Sequence, residues 1–132
     1  MLPAKESRRA VECIEKAIDD GWLKVTKLSS KEKRIARSIV SKGGLDPGEA
    51  ESLALAGSRK LMVILDDRAA RLFAEVMGVR FIGTAGVLFH AFVKKHLTLD
   101  ELEHAIGALS QTIWLASDVV AEVLKKAREA ER

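Results

Sequence analysis

The stretch Leu45 to Gly78, LDPGEAESLALAGSRKLMVILDDRAARLFAEVMG, decides how the chain is to be read. Asp46-Pro47-Gly48-Glu49 is a helix start, with Asp46 at the cap, Pro47 as the first helical residue and Glu49 at the third position. This helix should end near Gly57. Leu61 to Leu65 is a continuous apolar run of strand length, the pattern of a strand covered on both faces in a parallel sheet. Asp66-Asp67 ends it. From Arg68 to Met77 the spacing predicts a helix that buries Ala69, Leu72, Phe73 and Val76 and closes at Gly78, after which Val79 to Ile82 forms another short strand. Strand, helix and strand make a βαβ unit.

Working outward toward the start, Ala10, Val11, Ile14, Ala17 and Ile18 recur at helical spacing between Lys5 and Asp20, and Gly21 stops the pattern. Trp22, Leu23, Val25 and Leu28 form a short β-prone segment. Ser29 with Glu32 three residues on is a capping box for a second helix running to about Lys42, where Gly43-Gly44 breaks the chain. Toward the other end, Gly83-Thr84 opens a helix carrying Val87, Leu88, Ala91 and Phe92. Thr98 and Glu101 form a further capping box, and two more helices finish the chain, the last capped by Ser117 or Asp118. There is no internal repeat or low-complexity linker. Residues 1–132 are therefore expected to form a single helix-rich α/β domain, with a parallel sheet of few strands flanked by helices.

Composition narrows the setting. Nearly half the residues are hydrophobic and about a third charged, an ordinary globular balance. The longest apolar run, around Thr84 to Val93, is interrupted by Gly86 and His90 and falls short of the roughly 20 residues a membrane span needs. The first residues turn charged too early for a signal peptide, so a cytoplasmic, non-membrane protein is expected. Cys13 is the only cysteine and occupies an apolar position of the first helix, which predicts a free thiol in the core. Asparagine is absent and Gln111 is the only glutamine, while Lys, Arg and Glu abound, the bias expected of a thermophilic source. The net charge of +3 is mildly basic. Lys27, Lys31, Lys33, Arg34 and Arg37 concentrate it between Lys24 and Lys42, which is either a face that tracks phosphates or simply a solvated helix surface.

Chemistry is expected where acidic residues meet the sheet. In an open α/β sheet, ligands gather beyond the carboxyl ends of the strands, where Asp66-Asp67 lies. The helix begun by Glu49 reverses into that strand after a short turn, so Glu49 and the aspartates should converge. Carboxylates at one edge suit a hard divalent cation such as Mg²⁺, which could activate water against a phosphodiester. The plainer explanation is capping, since Asp at a helix cap and Glu at the third position stabilise a helix by roughly 0.5–2 kcal/mol with no ligand. His90, His96 and His104 lack metal-site spacing, the glycines around Thr84 match no phosphate-binding loop, and Ser110, Thr112 and Ser117 have no base placed by a motif.

The segments LDPGEAESLALA and LMVILDDRAARLFAEVMGVRFIGTAGVL resemble the C-terminal part of PIN-domain proteins, the subgroup related to the ribonuclease toxins of toxin–antitoxin modules. The likeness rests on the GEAE segment, the DD after the strand and the GT-GVL turn, and runs from about Gly21-Trp22 to the end. It implies RNA cleavage dependent on Mg²⁺ or Mn²⁺ held by about four acids. Glu49 and Asp67 match two of the family's catalytic and metal-holding acids, with Asp66 an auxiliary ligand or hydrogen-bonding partner and Glu51 a weaker candidate. By position, Lys42 and Arg68 are candidate phosphate contacts.

The family normally opens with a strand ending in an Asp, followed by helices that supply a second acid, and this chain has no such strand before its first helix. Glu6, Glu12 and Glu15 lack a motif that would make any of them the second acid. The resemblance therefore implies an N-terminally truncated domain, incomplete or weakly active as a nuclease when alone. Its alternative role is a catalytically silent oligomeric or partner-binding module, pairing with an antitoxin-like protein. The uncovered sheet edge predicts a homodimer or higher oligomer.

Overall fold

The computed structural model describes residues 4–113 and 117–131. Seven helices and two short strands follow in order: α1 (Ala4–Asp19), α2 (Ser30–Gly43), α3 (Pro47–Arg59), β1 (Val63–Ile64), α4 (Arg68–Met77), β2 (Phe81–Ile82), α5 (Thr84–Val93), α6 (Leu99–Thr112) and α7 (Ser117–Glu131). The strands pair in parallel, Val63 beside Phe81 and Ile64 beside Ile82, with α4 as the crossover. This is the helix-rich α/β arrangement that the βαβ spacing predicts.

Local chemistry sets most helix starts. At α2 the Ser29 hydroxyl accepts from the Glu32 N–H at 3.1 Å while the Glu32 carboxylate accepts from the Ser29 N–H at 2.7 Å. Thr98 and Glu101 repeat the device at α6. Asp46 occupies the cap position of α3 and Pro47 its first turn, but the Asp46 side chain makes no capping bond. At α5, Gly83 stands at the cap. The residue before α7 lies outside the described residues, and Ser117 and Asp118 form that helix's first turn.

Two apolar clusters hold the chain together. The first joins α2, α3, β1 and α4 around Ile39, Leu53, Val63, Leu65 and the alanines of α3 and α4. Gly43 allows α2 to end against the Phe73 ring, since a Cβ there would lie 2.5 Å from Cε2. The second cluster packs α5, α6 and α7 around Phe92, Leu102, Ile106 and Ala127.

Four expectations are corrected. α4 buries Ala70 and Ala74, with Phe73 and Met77 packed beside them, whereas Ala69, Leu72 and Val76 face solvent. The two alanines, one turn apart, let the helix approach the equally small Ala50 and Ala54 of α3, so close packing outweighs the bulkier stripe. β1 is covered on one face only: Val63 and Leu65 are buried, while Leu61, Met62 and Ile64 are exposed. Residues 24–29 have no regular structure, because that segment finds no strand to pair with among the described residues. Finally, Cys13 is exposed, since α1 keeps Val11, Ile14 and Ile18 in solvent and buries only Ala17.

Candidate functional site

β1 runs directly into Asp66 and Asp67, and the two neighbours have different duties. Asp66 reaches across to the second strand's exit. Its Oδ1 accepts the Thr84 N–H at 2.8 Å and its Oδ2 accepts the Thr84 hydroxyl at 2.6 Å. It therefore caps α5 from another segment, which explains how Gly83 can stand at that cap without a side chain. Arg71 steadies the arrangement: its Nε donates to the Leu65 carbonyl at 2.9 Å, its Nη2 lies 3.8 Å from Asp66 Oδ1, and its guanidinium sits over the Phe81 ring at 6.0 Å. Asp67 caps its own helix, with Oδ2 accepting from the Ala70 N–H at 3.0 Å. One Asp67 oxygen is thereby engaged.

Glu49, at the start of α3, is half-buried on the opposite wall. Burial, then the carboxylate of Asp67, then that of Asp46, push its carboxyl above the ordinary value of 4.5, with the Asp46 backbone pulling the other way. A carboxylate raised first by burial and then by its neighbours' negative charge marks a place where a cation would be welcome. Glu49, Asp66, Asp67, Arg68 and Arg71 line one cleft of about 930 Å³ whose remaining wall comes from β2, the start of α5, Ile113 and the apolar side of α7. The structure thus brings together four of the six residues singled out in the sequence. Lys42, in the last turn of α2, does not line this cleft.

The carboxylate pair has the right chemistry for Mg²⁺ or Mn²⁺, which prefer oxygen donors. The number of donors is short. Asp66 is held by Thr84 and one oxygen of Asp67 by Ala70, and no group of three or more His, Cys, Asp or Glu residues among those described could hold a metal ion. His90, His96 and His104 are exposed and contribute nothing to the cleft.

Part of the basic run borders a different cleft, of about 720 Å³, where Lys27, Lys33 and Arg37 surround an apolar floor of Leu28, Val40 and Pro47. Glu51 lines this second cleft, so the two acids of GEAE point to different sides of α3. Sequence reasoning missed Arg71 and the role of Thr84. The spacing of Arg71, four residues after Asp67 on the same helix face, was a usable signal; the Asp66 to Thr84 bond crosses 18 positions and left none.

A family model described as a PIN domain matches residues 2–129 of the chain. No curated protein and no solved structure matches the chain. Among the described residues, no helix is long and apolar enough to cross a membrane.

Proposed function

The chain belongs to the PIN-domain family, and from that premise we propose that it acts by binding a partner, with its acidic cleft a catalytically silent remnant of a nuclease centre. The engagement of Asp66 carries this reading. An acid whose two oxygens both accept from Thr84 has become a structural tie, and the two carboxylates left facing each other are too few to fix catalytic cations. In a toxin–antitoxin-like system such a domain would serve as the folded member that an antitoxin-like protein or a further subunit engages.

The raised pKa of Glu49 favours a second reading, in which another chain or segment contributes further acids and the cleft becomes an endoribonuclease site for Mg²⁺ or Mn²⁺. Arg68, on the cleft wall, would then be a phosphate contact, whereas Lys42 is not among the residues that line the cleft.

Mn²⁺ titration and RNA cleavage, run on the wild type beside Glu49→Gln and Asp67→Asn, separate the two readings. The binding reading expects no saturable Mn²⁺ uptake tighter than roughly millimolar and no cleavage above that of the variants. Mn²⁺-dependent cleavage that both substitutions abolish would replace it with the nuclease reading.

A further inference from the structure

We propose that the exposed stripe of α1 is a self-association surface, on which a second copy of this chain lays its own α1 in the opposite direction. Val11 and Ile14 are each 52% exposed and Ile18 is 39% exposed, so no described element covers a face that is apolar for two turns. Val11, Ile14 and Ile18 follow the alternating three-and-four spacing of a helix-pairing seam. The apolar surface continues past the helix. Trp22 is 75% exposed, and Leu23 turns back so that its N–H meets the Ala17 carbonyl at 3.3 Å.

Charge says what covers the stripe and in which direction. Lys5, Arg8 and Arg9 outnumber Glu6 in the first half of α1, and Glu12, Glu15, Asp19 and Asp20 follow in and just after the second half. Lys16 is the one cation in that second half, and Asp20 holds it at 2.7 Å. Two parallel copies would set cations against cations and carboxylates against carboxylates. Reversing one copy about a twofold axis places Val11 against Ile14 of the partner subunit, and Arg8 beside the seam near Glu15 of the partner subunit, each contact occurring twice. The exposed Trp22 and Leu23, just past the helix end, add apolar area to a contact that a helix pair of this length would otherwise leave small.

This surface is separate from the acidic cleft, so its test does not depend on whether the cleft is silent. The whole chain at about 50 μM should give a light-scattering mass near twice its 14.5 kDa. Ile14→Asp should return it to the single-chain mass with an unchanged circular dichroism spectrum, because Ile14 faces solvent in the isolated chain. Arg8→Glu and Glu15→Arg should each weaken the dimer by about tenfold, and the double exchange should restore it, since the two residues are seven apart and do not meet within one helix. A wild-type chain that stays single at that concentration overturns the proposal. So does a dimer that survives Ile14→Asp, or a double exchange that stays as weak as the singles.

Discussion

Glu32 and Glu49 occupy the same local position, the third residue of a helix, and meet opposite fates. Glu32 is almost wholly buried, yet its oxygens take the Ser29 N–H and a fork from Arg59, at 3.1 Å from Nε and 3.0 Å from Nη2. The Arg59 hydrogen bond first, then the Ser29 backbone, hold its carboxyl at about 2. Glu49 is only half-buried, and burial first, then the carboxylates of Asp67 and Asp46, push it the other way. Local sequence made both good helix starts. What stands opposite decided that one is a structural clamp between α2 and α3, and the other an acid set beside a second acid in a cleft.

The largest expected effect breaks the clamp. Arg59→Ala leaves Glu32 buried without its partner and should lower the melting temperature by roughly 5–10 °C at pH 7, read by circular dichroism. The pH dependence has a definite sign. Glu32 has a folded pKa of about 2, below its ordinary 4.5, so its contribution is complete above 4.5 and fades as pH falls toward 2. Arg59→Ala should flatten that acid limb, and an acid limb as steep as wild type would show that the pair is not its source.

Asp66 stands between the two extremes, an acid satisfied mainly by neutral donors. Thr84→Val removes the hydroxyl at 2.6 Å while sparing the backbone N–H, and should cost about 1 kcal/mol in urea unfolding. No loss would mean that Asp66 is not tied down and remains available as a third ligand.

The smallest effect has the opposite sign. For Glu49 the folded pKa lies above 4.5, so ionisation opposes folding as pH rises through that range and the penalty is complete above the folded value. Glu49→Gln should therefore raise the melting temperature by about 1–3 °C at pH 7 and leave it unchanged at pH 4 or below. A stabilisation equal at both pH values would trace to packing instead of charge.

These residues also mark how far the sequence could be read. The capping boxes at Ser29 and Thr98 were legible because both partners lie within one turn. The meeting of Glu49 with Asp67 was legible because a helix that reverses into a strand brings its start to the strand's end. The tie from Glu32 to Arg59 spans 27 positions and depends on how α2 crosses α3, which no local pattern encodes. The buried face of α4 was misread because small alanines lie on one side and larger apolar residues on the other, and only the alanines of α3 choose between them. For the same reason the apolar stripe of α1 promised burial for Cys13 that no described element supplies.

The central claim is that the Asp67 carboxylate helps burial to raise the Glu49 carboxyl, and carboxyl titration by NMR tests it most directly. In the wild type Glu49 should titrate above 4.5, and in Asp67→Asn it should move down toward that value, retaining the part of the shift due to burial. A Glu49 that titrates at or below 4.5, and does so equally in both proteins, would contradict the account.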